Sequence, residues 1–137
     1  MLSVGQSPMW PRPIRTLLSP LATSAAGKSV QQSFIEAISA NIANAETTRT
    51  PEGGPYRRRV ALAENNNGQV RVVNDATPGR LVYDPGHPDA DANGYVTMPN
   101  VDIATETVDL MVARRMHEAN ATVFQAAKGM LRRALEI

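Results

Sequence analysis

Two stretches of the chain repeat apolar residues at helical spacing, and the residues between them do not. From about Ser19 to Asn44, Ile35, Ile38, Ile42 and Ala45 recur at steps of three, four and three. Val30 and Phe34 lie beside them, with Ala22, Ala25 and Ala26 upstream, while Ser, Gln and Asn fill the other face. Thr50-Pro51 and then Gly53-Gly54-Pro55 end any helix. The pattern predicts a helix over 18–45, preceded by a Pro-rich, aperiodic segment, 1–17, expected to be disordered.

The second periodic stretch runs from Val101 to Ile137, with Asp102 placed as an N-cap. Val112, Met116, Ala119, Val123, Ala126, Met130 and Ile137 form a heptad stripe broken only at Arg133. Val108, Met111, Phe124, Ala127, Leu131 and Leu135 widen it. A helix over 101–137 is about 50 Å long. Its stripe exceeds what one other helix and a thin β module can cover, so it expects partners. The intervening 46–100 reads as short strands between turn signals. Arg59-Val60-Ala61-Leu62 and Gln69-Val70-Arg71-Val72-Val73 flank Asn65-Asn66-Asn67-Gly68, and Arg80-Leu81-Val82-Tyr83 and Tyr95-Val96-Thr97-Met98 flank a longer loop. The expected fold is mostly α with a small β module.

Composition narrows the function more than the fold. The 137 residues include 19 Ala against one Trp, three Tyr and two Phe, which suits close helix packing rather than a thick aromatic core. Net charge is +1, so no strong field steers the chain to nucleic acid or an anionic membrane. With no cysteine, disulfides and thiolate chemistry are excluded. No segment approaches the roughly 20 apolar residues of a membrane helix. Prolines at 8, 11, 13 and 20 interrupt any apolar core of a cleaved signal peptide, so export, if it occurs, is expected without one.

Candidate chemistry is thin. Asp89, Asp91, Asn93 and Gly94 fall on the spacing of a calcium loop, but the twelfth position, where a bidentate carboxylate belongs, is Asn100. The flanks read as strands, so Asn93-Gly94 is expected to make a tight hairpin turn with positive φ instead. Arg57-Arg58-Arg59, Arg114-Arg115 and Arg132-Arg133 lack aromatic interleaving and have acids near two of the three groups, which fits a solvated or subunit-bridging face. His87 and His117 have no metal-ligand spacing, and Ser19, Ser29 and Ser39 no nucleophile elbow. No catalytic residue, metal ligand or cofactor site is expected, and the chain reads as a non-enzyme.

One stretch, "ISANIANAETTRTPEGGPYRRR", resembles the N-terminal signature of the flagellar axial proteins, the rod and hook family, and most closely its proximal-rod members. The resemblance rests on Ser39, Asn41, Ala43 and Asn44, then Thr47-Thr48-Arg49-Thr50 and Glu52-Gly53-Gly54-Pro55-Tyr56-Arg57-Arg58. It resumes at "LVYDPGHPDADANGYVTMPNVD" and continues through "ARRMHEANATVFQAAKGMLRRALEI", covering about Gly27 to Ile137. The resemblance implies a tube in which the terminal helices, 18–45 and 101–137, pair as an inner coiled coil with the 46–100 module outside. It implies partners too: copies of the chain, other rod proteins, and the MS ring and export gate nearby.

In that picture the expected subunit interface comprises Phe34, Ile35, Ile38 and Ile42 with the polar Asn41 and Asn44, and Val108 with the heptad stripe from Val112 to Ile137. A buried amide costs stability unless its partners are placed, so the two asparagines are expected to fix register between helices. Arg57, Arg58, Arg114 and Arg115 are expected to bridge carboxylates on neighbours. Two readings follow: a structural rod subunit that transmits torque across the periplasm around an export lumen, or a helical adaptor with an ion-responsive loop.

Overall fold

A computed structural model describes residues 12–65 and 68–136. The chain folds as α1 (Arg12–Ala43), β1 (Arg59–Ala63), β2 (Val70–Asn74), β3 (Leu81–Tyr83), β4 (Tyr95–Thr97) and α2 (Ile103–Leu135). It is mostly helical with a small β module, and the helices pair along their length. The first eleven residues, Asn66, Asn67 and Ile137 lie outside the described residues, and with them most of the segment expected to be disordered.

The remainder of that segment needs correction, since α1 begins at Arg12 rather than near 18. Proline does not prevent this. Pro13 stands in the first turn, where the backbone N–H has no helical acceptor and the fixed φ suits the helix. The start of α2 follows the expected capping. The Asp102 carboxylate accepts from the Ala104 N–H at 3.1 Å and from the Thr105 hydroxyl at 3.1 Å. Glu106 in the first turn and Arg132 and Arg133 in the last complement the helix dipole.

Contacts along the pair fix its direction. Asn41 meets Glu106, the Lys28 carbonyl meets His117, and Gly27 faces Asn120. Partner numbers rise on α2 as they fall on α1, so the helices are antiparallel. The face of α2 turned inward carries Glu106, Ala113 and Ala127, all buried, with Leu110, His117, Asn120, Phe124 and Leu131 half-buried. Small residues let the backbones approach, and buried Ala37 does the same on α1. Toward the far end the packing becomes polar: Ser24 and Gln31 are buried there, and Gln31 Oε1 has no hydrogen-bond partner among the described residues.

The β module consists of two separate antiparallel pairs. Arg59 pairs with Asn74 and Ala63 with Val70 in one, and Leu81 pairs with Thr97 and Tyr83 with Tyr95 in the other. Two-stranded sheets are marginal alone. The first is held by packing of β1 against α1. The second is anchored by Val96 and Pro99, both fully buried, and by a close backbone approach at Gly79. A Cβ at Gly79 would lie 2.0 Å from the Met98 carbonyl oxygen, beside the Met98 N–H to Arg80 carbonyl bond of 2.7 Å. Gly79→Ala is therefore expected to destabilise the chain by about 2 kcal/mol or more, read by urea unfolding. A loss under about 0.5 kcal/mol would mean that the two segments separate freely.

Candidate functional site

The region that joins both helices to the first strand pair is a buried polar cluster at the end of the helix pair nearest the β module. Asn41, with no exposed surface, uses its whole amide. Its Nδ2 donates to the Arg59 carbonyl at 2.8 Å and to Glu106 Oε2 at 3.2 Å. Its Oδ1 accepts from the Arg59 N–H and the Tyr56 hydroxyl, both at 2.8 Å. Burial pushes the Tyr56 phenol above its ordinary pKa, so it stays a neutral donor. Glu106, 1% exposed, takes the Arg58 guanidinium on its other oxygen. Arg58 then reaches Asp75 at 3.4 Å, and its backbone N–H donates to Asn100 Oδ1 at 2.8 Å. Asn100 Nδ2 closes the loop by donating to the carbonyls of Asp75 at 3.2 Å and Thr77 at 2.9 Å.

One amide and one carboxylate thus tie the end of α1, the approach to β1, the segment after β2 and the first turn of α2. The ion pair holds the Arg58 pKa above its usual value, chiefly through the hydrogen bond to Glu106. Hydrogen bonds from Thr77, and then Arg58, hold Asp75 below the usual carboxylate range. A carboxylate depressed in the folded state contributes stability that is present above its unfolded pKa of about 3.9 and disappears as pH falls through the folded value. Acid unfolding is expected to begin below about pH 4, and Asp75→Asn should flatten that limb. Identical acid limbs for both proteins would remove Asp75 from the account.

Asn41 is enclosed by its own chain and cannot touch a neighbour. Its bonds run within the subunit, from the end of α1 to the first turn of α2 and to β1. Asn44 likewise works locally, its Nδ2 donating to the Ala40 carbonyl at 2.8 Å and its Oδ1 accepting from the Thr47 hydroxyl at 3.1 Å. Arg58, expected to bridge subunits, is also committed within the chain. Arg57, Arg114 and Arg115 are exposed and form no ion pair among the described residues.

The apolar positions divide differently. Phe34, Ile35, Ile38 and Ile42 are half-buried on α1. The heptad stripe of α2 is not the face packed on α1. Val112 is 53% exposed, Met116 49%, Val123 50% and Met130 57%, with Val108, Ala119 and Ala126 also exposed. It lies one residue, about 100° of helix, from the inward face. Hydropathy alone selects the outer stripe because Glu106, His117 and Asn120 interrupt the inner one. Between the helices and β1, Phe34, Ile38, Val60, Val112 and Met116 border an open groove of about 360 Å³.

The loop between β3 and β4 is a connector in which Asp91 Oδ1 and both Asp89 oxygens take the chain's own donors. Asp91 Oδ1 accepts from the N–H groups of Asn93 and Tyr95, both at 2.9 Å. Gly94 has φ +84°, but among the described residues no other residue type has positive φ, so Asn93 does not complete the two-residue turn expected of it. Asp89 is more than a turn residue. It accepts from the Thr48 hydroxyl at 2.6 Å and Arg49 at 2.5 Å, holding the hairpin to the loop after α1, and these donors keep its pKa low. His87 Nδ1 accepts from the Asp89 N–H at 3.0 Å. Among the described residues, no three His, Asp or Glu side chains converge as a metal site, and no helix is long and apolar enough to cross a membrane.

The family described as flagellar basal body rod FlgEFG protein C-terminal matches residues 92–137, the end of the β module and α2. Over most of its length the chain is similar to flagellar basal-body rod proteins FlgC. It is 42% identical to that of Borreliella burgdorferi, over 88% of this chain and 97% of the relative. Identity is 37% to that of Bacillus subtilis, over 89% and 98%, and 36% to that of Salmonella typhimurium, over 80% and 88%.

Proposed function

This chain belongs to the FlgC family of flagellar basal-body rod proteins, and from that premise we propose that it builds the proximal rod and carries torque across the periplasm. It is a structural protein of the basal-body rod and not an enzyme. The observation that carries the finer reading is the outer stripe of α2: Val112, Met116, Val123 and Met130 stand half exposed in a continuous row. A row of that length on a lone chain favours association. In the rod it packs against helices of other rod proteins and of further copies, around a lumen through which exported proteins pass. The MS ring and the export gate lie at the rod's base, and the chain reaches the rod by that export route.

The adaptor reading has no comparable support, because both Asp89 oxygens and Asp91 Oδ1 already accept from the chain's own donors. The deciding experiment is cryo-EM of basal bodies isolated from the source organism. The expected result is density for this chain in the proximal rod, with α1 and α2 on the lumen side. Intact rods that lack the chain would end the proposal.

A further inference from the structure

Arg57, Arg58 and Arg59 divide their work by alternation along an extended segment, where successive side chains point to opposite sides. Arg58 turns inward to Glu106 and Asp75. Arg57 and Arg59 turn outward and line, with Thr50, Glu52, Tyr56 and Asn74, a polar pocket of about 370 Å³. Arg59 lies over the Tyr56 ring at 5.7 Å, and that ring is fixed from behind by its hydroxyl bond to Asn41. Neither outward arginine has an ion-pair partner among the described residues. The pocket therefore sets two cations, one of them preorganised, against the single carboxylate of Glu52, which pairs with neither, and the surplus cation suits a further carboxylate.

The same chain carries a complementary surface. The outer face of the β3–β4 hairpin exposes Leu81 and Tyr83, each 65% exposed, with Tyr95 set edge-on to Tyr83 at 5.3 Å. Asp84 follows directly, exposed and without an ion pair among the described residues. Asp89 pins this hairpin to Thr48 and Arg49, so within one chain Asp84 does not meet Arg57 or Arg59. Resting on the rod reading above, we propose that the Arg57/Arg59 pocket receives the Tyr83–Asp84 corner of a second copy. Asp84 pairs with the guanidinium groups, and a guanidinium stacks on the Tyr83 ring. The two surfaces differ, so the contact is head-to-tail and leaves a free surface of each kind to repeat it.

The test uses the full chain in sedimentation velocity across a concentration series. Arg57→Glu/Arg59→Glu and, separately, Asp84→Arg should each weaken self-association by about tenfold or more, with unfolding temperature unchanged. Mixing the two variant proteins should restore association, because each supplies the surface the other lacks. Wild-type association in either variant, a wild-type chain that stays monomeric throughout, or a mixture that fails to associate overturns the proposal. If inorganic phosphate stabilises the wild type but not the arginine variant, and mixing restores nothing, the pocket is a free oxyanion site instead. Association through the outer α2 stripe is read separately with Met116→Glu, and membership of the rod is read from isolated basal bodies. A failed charge swap thus leaves the rod reading standing.

Discussion

Asn41→Ala is expected to cost roughly 3–5 kcal/mol, a large part of the 5–15 kcal/mol that holds a domain of this size together. Four hydrogen bonds vanish in a place with no exposed surface. The Arg59 N–H and carbonyl, the Tyr56 hydroxyl and one Glu106 oxygen then remain buried without this partner. Each such group costs about 1–3 kcal/mol when water cannot replace what was lost. Asn41→Asp should be no better, because a carboxylate cannot donate and would sit beside Glu106. Thermal and urea unfolding followed by circular dichroism measure the effect. A loss below about 1 kcal/mol would show that the cluster is wet or rearranges.

Met116→Glu and Val123→Asp should do the opposite: leave the isolated chain alone and abolish assembly. Both side chains are about half exposed, so a charge there keeps its hydration and should change monomer stability by no more than about 0.5 kcal/mol. Covered by another helix in the rod, the same charge costs several kcal/mol in every copy. The measurements are unfolding of the purified proteins, swimming in soft agar, and recovery of the variants in basal bodies. Ala113→Glu is the control, since Ala113 is buried on the inward face and its substitution should unfold the monomer. Normal swimming by either outer-face variant would place the stripe in solvent and remove the main support for the proposed packing.

The sequence announces helices more clearly than it announces which way they face. Both long helices are legible from period and punctuation, and the Asp102 cap from a single residue. The strands are legible from Val, Leu and Tyr between Gly and Asn. What stays hidden is the choice between two stripes one residue apart on α2, because Glu106, His117 and Asn120 interrupt the one that pairs with α1. The Asn41–Glu106–Arg58 cluster is hidden for another reason: Asn41 and Glu106 are 65 positions apart, and only the fold brings them together. A carboxylate at position 106, on a face otherwise carrying Leu110 and Ala113, was the available signal.

The polar cluster also decides how the helix pair responds to load. It clamps one end with an enclosed amide and an ion pair, while at mid-length Gly27 faces Asn120, and the polar Ser24 and Gln31 are buried on either side of that point. A pair of rods clamped by directional bonds at one end, and joined beyond it by side-chain packing, behaves as a cantilever. A sideways force at the C-terminal end of α2 acts on Glu106 through an arm of about 45 Å. Bending moment is then greatest at Asn41, Glu106 and Arg58, where the contacts are strongest, and deflection is greatest at the tip. The tip is therefore the part that adapts its angle to whatever it meets, while the clamped end keeps its shape.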